Sequence, residues 1–148
     1  MSLKATIDAD IKQAMLAKEK ETLNALRSIK SMILLEETKG AAKELDVAGE
    51  LALLSRAAKQ RKESAELFRA QERADLAEVE EVQLAIIERY MPKQLSQDEL
   101  EAKLSAIIER VGAKAISDLG KVMGVASKEL SGQADGKVIS ETVKKLLS

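Results

Sequence analysis

The sequence predicts an all-α protein, an N-terminal helical bundle followed by a small three-helix domain. Three observations predict it. Apolar residues recur at three- and four-residue spacing along most of the chain, the period of one face of a helix. A single proline, Pro92, interrupts a sequence rich in Ala, Leu, Glu and Lys, all good helix formers. No stretch alternates apolar and polar residues as a half-buried strand would.

The elements follow in order. Leu3, Ile7, Ile11, Ala14 and Met15 form the stripe of a first helix, about Leu3–Ala17. Leu23, Leu26, Ile29 and Ile33 form that of a second, which runs to Lys39, where Gly40 supplies a left-handed end. Residues 18–21 contain no breaker, so these two helices would equally be one bent helix. Residues 41–50 are mixed in character. A third helix over 51–69 turns Leu51, Leu54, Ala58, Ala65 and Phe68 inward and places Arg56, Lys59, Arg61 and Lys62 on or near its exposed side. A fourth, over 75–90, groups Leu76, Val79, Val82 and Ile86, with Asp75 as its cap.

Met91-Pro92 then ends the bundle, because the residue before a proline disfavours helical geometry. The expected division is 1–92 and 93–148. Ser96-Gln97-Asp98-Glu99 reads as a capping box opening a helix with Leu100, Leu104, Ile107 and Ile108, which ends near Gly112. Ser117 or Asp118 caps a short helix to about Leu130. A tight turn at 132–136 leads to a last helix, capped by Asp135, with Val138, Ile139, Val143 and Leu146.

Composition narrows the chemistry. The 148 residues are 45% hydrophobic, yet Phe68 and Tyr90 are the sole aromatics, so the core is aliphatic. Without Cys there is no disulfide or thiol chemistry. Without His the usual general base near neutral pH and the commonest zinc ligand are missing. No tight acidic cluster suggests a metal, and neither a cofactor nor a catalytic residue is expected. The 24 bases and 25 acids nearly cancel, which argues against a grip on nucleic acid by bulk charge, and DNA is not an expected partner. The balance is uneven, acidic over 76–101 and mildly basic from Ala102 onward. No run reaches membrane length, and residues 1–14 mix acids among their apolar positions, unlike a signal peptide. The expected location is cytoplasmic.

The candidate sites lie among glycines and lysines. Gly120 and Gly124, four apart, share one helix face, and a mid-helix glycine costs about 1 kcal/mol relative to alanine. A close helix crossing within the chain would offset that cost; so would close approach by a partner. Lys121 stands beside them, but the glycine spacing and the Ser or Thr of a phosphate-binding loop are missing. Gly132 and Gly136 serve the turn, whose amides and Lys137 would also make a weak anion site. Arg56, Lys59, Arg61 and Lys62 form a basic run, read either as a solvated face or as an RNA backbone contact. Phe68 reads as core, since no second aromatic stands near it to build a stacking platform.

Four separated motifs together resemble the YqeY family. They are Leu26-Arg27-Ser28-Ile29-Lys30, Lys59-Gln60-Arg61-Lys62-Glu63-Ser64, Tyr90-Met91-Pro92-Lys93-Gln94-Leu95-Ser96, and Asp118-Leu119-Gly120-Lys121-Val122-Met123-Gly124 through Gly132-Gln133-Ala134-Asp135-Gly136-Lys137-Val138. The resemblance covers essentially the whole chain, and its C-terminal part is similar to the tail domain of the B subunit of the glutamine-dependent aminoacyl-tRNA amidotransferase. It implies an N-terminal bundle and a three-helix tail-like domain that engages tRNA or a tRNA-processing protein. Lys121, Lys128 and Lys137 are then the contacts expected in the tail-like domain, with Arg56, Lys59, Arg61 and Lys62 as a secondary surface. The resemblance also brings an activity label, a carbon–nitrogen ligase with glutamine as amido-N donor, but no part of the sequence has the length or composition of that enzyme's catalytic domain. A protein–protein adaptor, with the glycine face receiving a partner helix, is the alternative.

Overall fold

The computed structural model describes residues 2–39 and 44–148. Among them are seven α-helices, one short 3-10 turn and no strand, so the fold is all-α. The chain divides into two compact units, Met1–Met91 and Pro92–Ser148. Each has its own aliphatic core.

In the first unit, α1 (Leu3–Ala17) starts at Ser2, whose hydroxyl accepts the Ala5 amide at 3.1 Å. It ends at Lys18, which takes a left-handed φ of 57° while the Lys18 and Glu19 amides donate back to Met15 and Ala14 at 3.2 and 3.0 Å. The junction left open by the sequence is therefore a break, and α2 (Lys20–Glu37) is a separate helix. It buries Ala25, Leu26, Ile29 and Ile33. Gly40, expected to end it, lies outside the described residues.

α3 (Val47–Ala70) begins ahead of the expected position. Asp46 caps it by accepting the Gly49 amide at 2.7 Å. A Cβ at Gly49 would lie 3.1 Å from that same carboxylate oxygen, so the glycine belongs to the cap and not to a loop. α4 (Ala74–Glu88) pairs closely with α3, and α2 packs against both. Two expectations fail here. Arg73, not Asp75, occupies the cap position, and Asp75 sits in the first turn, paired with Arg73 at 3.1 Å. The buried face is Ala77, Ile86 and Ile87, leaving Val79 and Val82 exposed at 44% and 38%. α4 is apolar on two adjacent faces, and the small Ala77 side chain lets a neighbouring helix come close.

The second unit opens with Leu95, whose amide donates to Gln133 at 2.9 Å. α5 (Gln97–Val111) starts with a full capping box: the Ser96 hydroxyl accepts from the Glu99 amide, and a Glu99 carboxylate oxygen accepts from the Ser96 amide, both at 3.2 Å. These bonds hold the Glu99 carboxyl below the usual range. Gly112, at φ 72°, ends the helix. A 3-10 turn, Ile116–Asp118, leads into α6 (Leu119–Glu129), and α7 (Gly136–Leu147) closes the unit. The three helices pack pairwise around Leu104, Ile107, Val122, Ala126, Ile139 and Val143. Burying each large aliphatic side chain stabilises the unit by about 1.5–3 kcal/mol.

Candidate nucleic-acid interface

The placement of α6 starts with Asp118. One of its carboxylate oxygens accepts the Lys114 and Ala115 amides at 2.9 and 3.3 Å, fixing the 3-10 turn that launches the helix. Those bonds, with a smaller effect from the charge of Lys121, hold the Asp118 carboxyl below its ordinary range. α6 then buries Val122 and Ala126. Spacing of three and four assembles the opposite face from Gly120, Lys121, Gly124, Ser127 and Lys128, all exposed.

Apart from the adjoining residues and the local helix backbone, no heavy atom of the described residues lies within 4 Å of where a Cβ on Gly120, Gly124 or Gly136 would sit. A close helix crossing, one of the two offsets expected for the Gly120–Gly124 pair, is not made among the described residues of the second unit. Gly132 differs. Its φ of 75° is the left-handed geometry the turn requires. Lys121 and Lys128, seven residues apart, stand about 10 Å apart along the helix axis. Neither forms an ion pair among the described residues. The result is a bare face of small residues that carries two unpaired cations.

The turn before α7 is a poorer anion site than its sequence suggests. The Lys137 amide already donates to the Asp135 carboxylate at 3.1 Å, so the chain's own negative charge occupies the helix start. The Lys137 side chain is exposed and free of ion pairs among the described residues.

The basic run on α3 does not form one open patch. Arg56 pairs with Glu36 at 3.0 Å, and Lys39 shares the same oxygen at 3.2 Å. Lys59 lies 4.0 Å from Glu63. Arg61, expected on or near the exposed side, is only 22% exposed; it donates to the Ser28 hydroxyl at 2.9 Å and faces Glu80 at 3.7 Å. The Arg61 Nε and a Glu80 oxygen are buried without a hydrogen bond. Lys62 alone of the four is exposed with no acid partner among the described residues.

One pairing escaped the sequence reading. The Tyr90 hydroxyl donates to an Asp10 carboxylate oxygen at 2.5 Å. Burial, then the hydrogen bond to Asp10 and its charge, raises the Tyr90 phenol far above its ordinary range, against a smaller opposing effect of Arg89. The signal was Asp10 itself, a carboxylate three residues after Ile7 and four before Ala14, on the buried side of α1.

A helical, YqeY-like fold with a compact second unit defines the class, and the comparisons agree. The family model described as "Yqey-like protein" matches residues 4–147, and the chain belongs to that family. It is 31% identical over 133 residues to "Altered inheritance of mitochondria protein 41, mitochondrial" of Clavispora lusitaniae, covering 88% of this chain and 75% of the relative. The protein of that name from Lachancea thermotolerans is 34% identical over 106 residues, covering 70% and 57%. That of Saccharomyces cerevisiae strain YJM789 is 31% identical over 134 residues, covering 88% and 69%.

These names overturn the cytoplasmic location expected from the sequence, since each describes a mitochondrial protein. The expectation rested on finding no leader-like or membrane-length segment. Among the described residues no helix is long and apolar enough to cross a membrane, but that fact does not separate one aqueous compartment from another.

Proposed function

We propose that this protein binds tRNA as an accessory factor, through the exposed face of α6 in its second unit. The observation that supports the reading most is the exposed face of Gly120, Gly124 and Ser127 that carries the unpaired Lys121 and Lys128. Small residues let a sugar–phosphate backbone approach a helix closely, and lysines on the same face neutralise its charge. The chain as a whole is nearly neutral, so binding of this kind is local and sensitive to salt. Lys137 on the second unit and Lys62 on the first are separate exposed cations that could each meet a phosphate on their own. The reading assigns no amide-transfer chemistry to the chain.

Titration of the full chain with tRNA at several salt concentrations tests this reading. Affinity no better than that of an acidic control protein would sink it. A second reading, an adaptor whose glycine face receives a partner helix, draws on the same open space above Gly120 and Gly124. Gly124→Leu would block a helix partner and a nucleic acid alike, whereas replacing Lys121 and Lys128 by Gln weakens nucleic acid chiefly. That contrast separates the two.

A further inference from the structure

The first unit contains a cavity of about 500 Å³ that shares no residue with the α6 face. It lies where the end of α1, the start of α2 and the residues following α4 come together. Ala14 and Leu26, both buried, form its apolar part; Asp10, Glu19, Arg89 and Tyr90 line its polar part. It is an open cleft, with Gln13, Ala17, Glu19 and Arg89 exposed along it.

Two charges of opposite sign line this cavity without an ion-pair partner among the described residues. Arg56, Arg61, Arg69, Arg73 and Arg110 each pair with a carboxylate; Arg27 and Arg89 form no ion pair among the described residues, and of these two only Arg89 lines the cavity. Glu19 occupies the cap position of α2, yet its side chain makes no capping bond and enters no ion pair among the described residues. The left-handed turn at Lys18 sets Glu19 against the end of α1, where its amide donates to Ala14 at 3.0 Å. The Tyr90–Asp10 bond, between residues eighty positions apart, holds another wall and occupies one Asp10 oxygen, Oδ2. A guanidinium and a carboxylate thus line one cavity without pairing with each other. Each is left for a group of opposite sign.

We propose that this cavity binds a small zwitterion of the amino-acid class. Its carboxylate meets the Arg89 guanidinium, whose planar fork suits two parallel hydrogen bonds. Its ammonium lies between Glu19 and Oδ1 of Asp10, and its side chain rests on Ala14 and Leu26.

Tyr90 is the only tyrosine and the chain has no tryptophan, so intrinsic tyrosine emission reports on this cavity alone. The full chain is titrated with each standard amino acid, and with acetate and methylammonium, each of which carries only one of the two charges. At least one amino acid is expected to change Tyr90 emission saturably at millimolar concentration or below. Arg89→Gln and Glu19→Gln should each weaken that binding about tenfold or more. Both side chains are exposed, and circular dichroism checks that the variants fold. No saturable change with any amino acid, unchanged affinity in both variants, or acetate or methylammonium alone binding as well would each overturn the proposal.

Discussion

The side-chain amide of Gln94 donates to the main-chain carbonyl of Gly132 at 2.6 Å, tying the segment before α5 to the turn before α7. The same amide donates to the Pro92 carbonyl at 3.1 Å, and the Leu95–Gln133 backbone bond runs alongside. Two motifs far apart in sequence thus form one structural joint. Gln94→Ala leaves the half-buried Gly132 carbonyl without this partner and should destabilise the second unit by about 1–2 kcal/mol. Urea unfolding followed by circular dichroism measures it; an unchanged midpoint would show that the joint contributes nothing.

Gly124→Ala should stabilise the second unit by about 1 kcal/mol, because the added methyl meets open space and alanine is the better helix former. Gly120→Ala should gain less, since it lies in the first turn of α6. If the bare strip serves a partner, both variants lose affinity for tRNA while gaining stability. Parallel thermal unfolding and binding measurements reveal this opposition, and a gain in both would remove the functional reading of the glycines.

Arg61→Ala should cost about 1–2 kcal/mol, because it strips Glu80 of its countercharge and Ser28 of its donor. The discount from a fully buried pair reflects the 22% exposure of each partner. Arg61→Ala/Glu80→Ala should recover part of the loss in a double-mutant cycle. The tRNA affinity of the folded Arg61→Ala protein should stay at the wild-type value.

Tyr90 gives the first unit a dependence on alkaline pH. Its phenol is raised in the folded state, so the neutral hydroxyl is the stabilised form. The contribution is complete below the ordinary phenol value of about 10 and is lost as pH rises from there through the folded value. An absorbance titration of this single tyrosine should show delayed ionisation. Tyr90→Phe should flatten the alkaline fall in stability relative to wild type, and an equal fall in both would contradict the assignment.

The capping box acts at the other end of the scale. Glu99 is depressed by its bonds to Ser96, so its contribution is present above about pH 4.3 and is lost as pH falls through the folded value. Glu99→Gln should reduce the acid sensitivity of the second unit, measured as the change in unfolding midpoint between pH 6 and about pH 3.

How much of this was legible in sequence depended on how local each signal was. Ser96 with Glu99, Gly112 and Asp135 act within a few residues of the helix ends they set, and each helix end was readable. The break at Lys18 was not, because a lysine in left-handed geometry carries no mark in the sequence. The α4 stripe was misread because Leu76, Val79 and Val82 offer a second apolar face beside Ala77, and only the packing of α3 and α2 chooses between them. Among the candidate contacts, Lys121 and Lys128 were named from the family resemblance, and helical spacing places both on the exposed face of α6. The Arg56 and Arg61 partners, Glu36 and Ser28, lie twenty and thirty-three residues away, and no local pattern announces them.

The most direct test of the central claim is the salt dependence of tRNA binding by wild type and by Lys121→Gln/Lys128→Gln. Removing two phosphate contacts should weaken binding and lower the slope of log affinity against log salt by about 2. The fold should be unaffected, since both side chains are exposed and free of ion pairs among the described residues. Equal slopes and equal affinities for the two proteins would contradict the account.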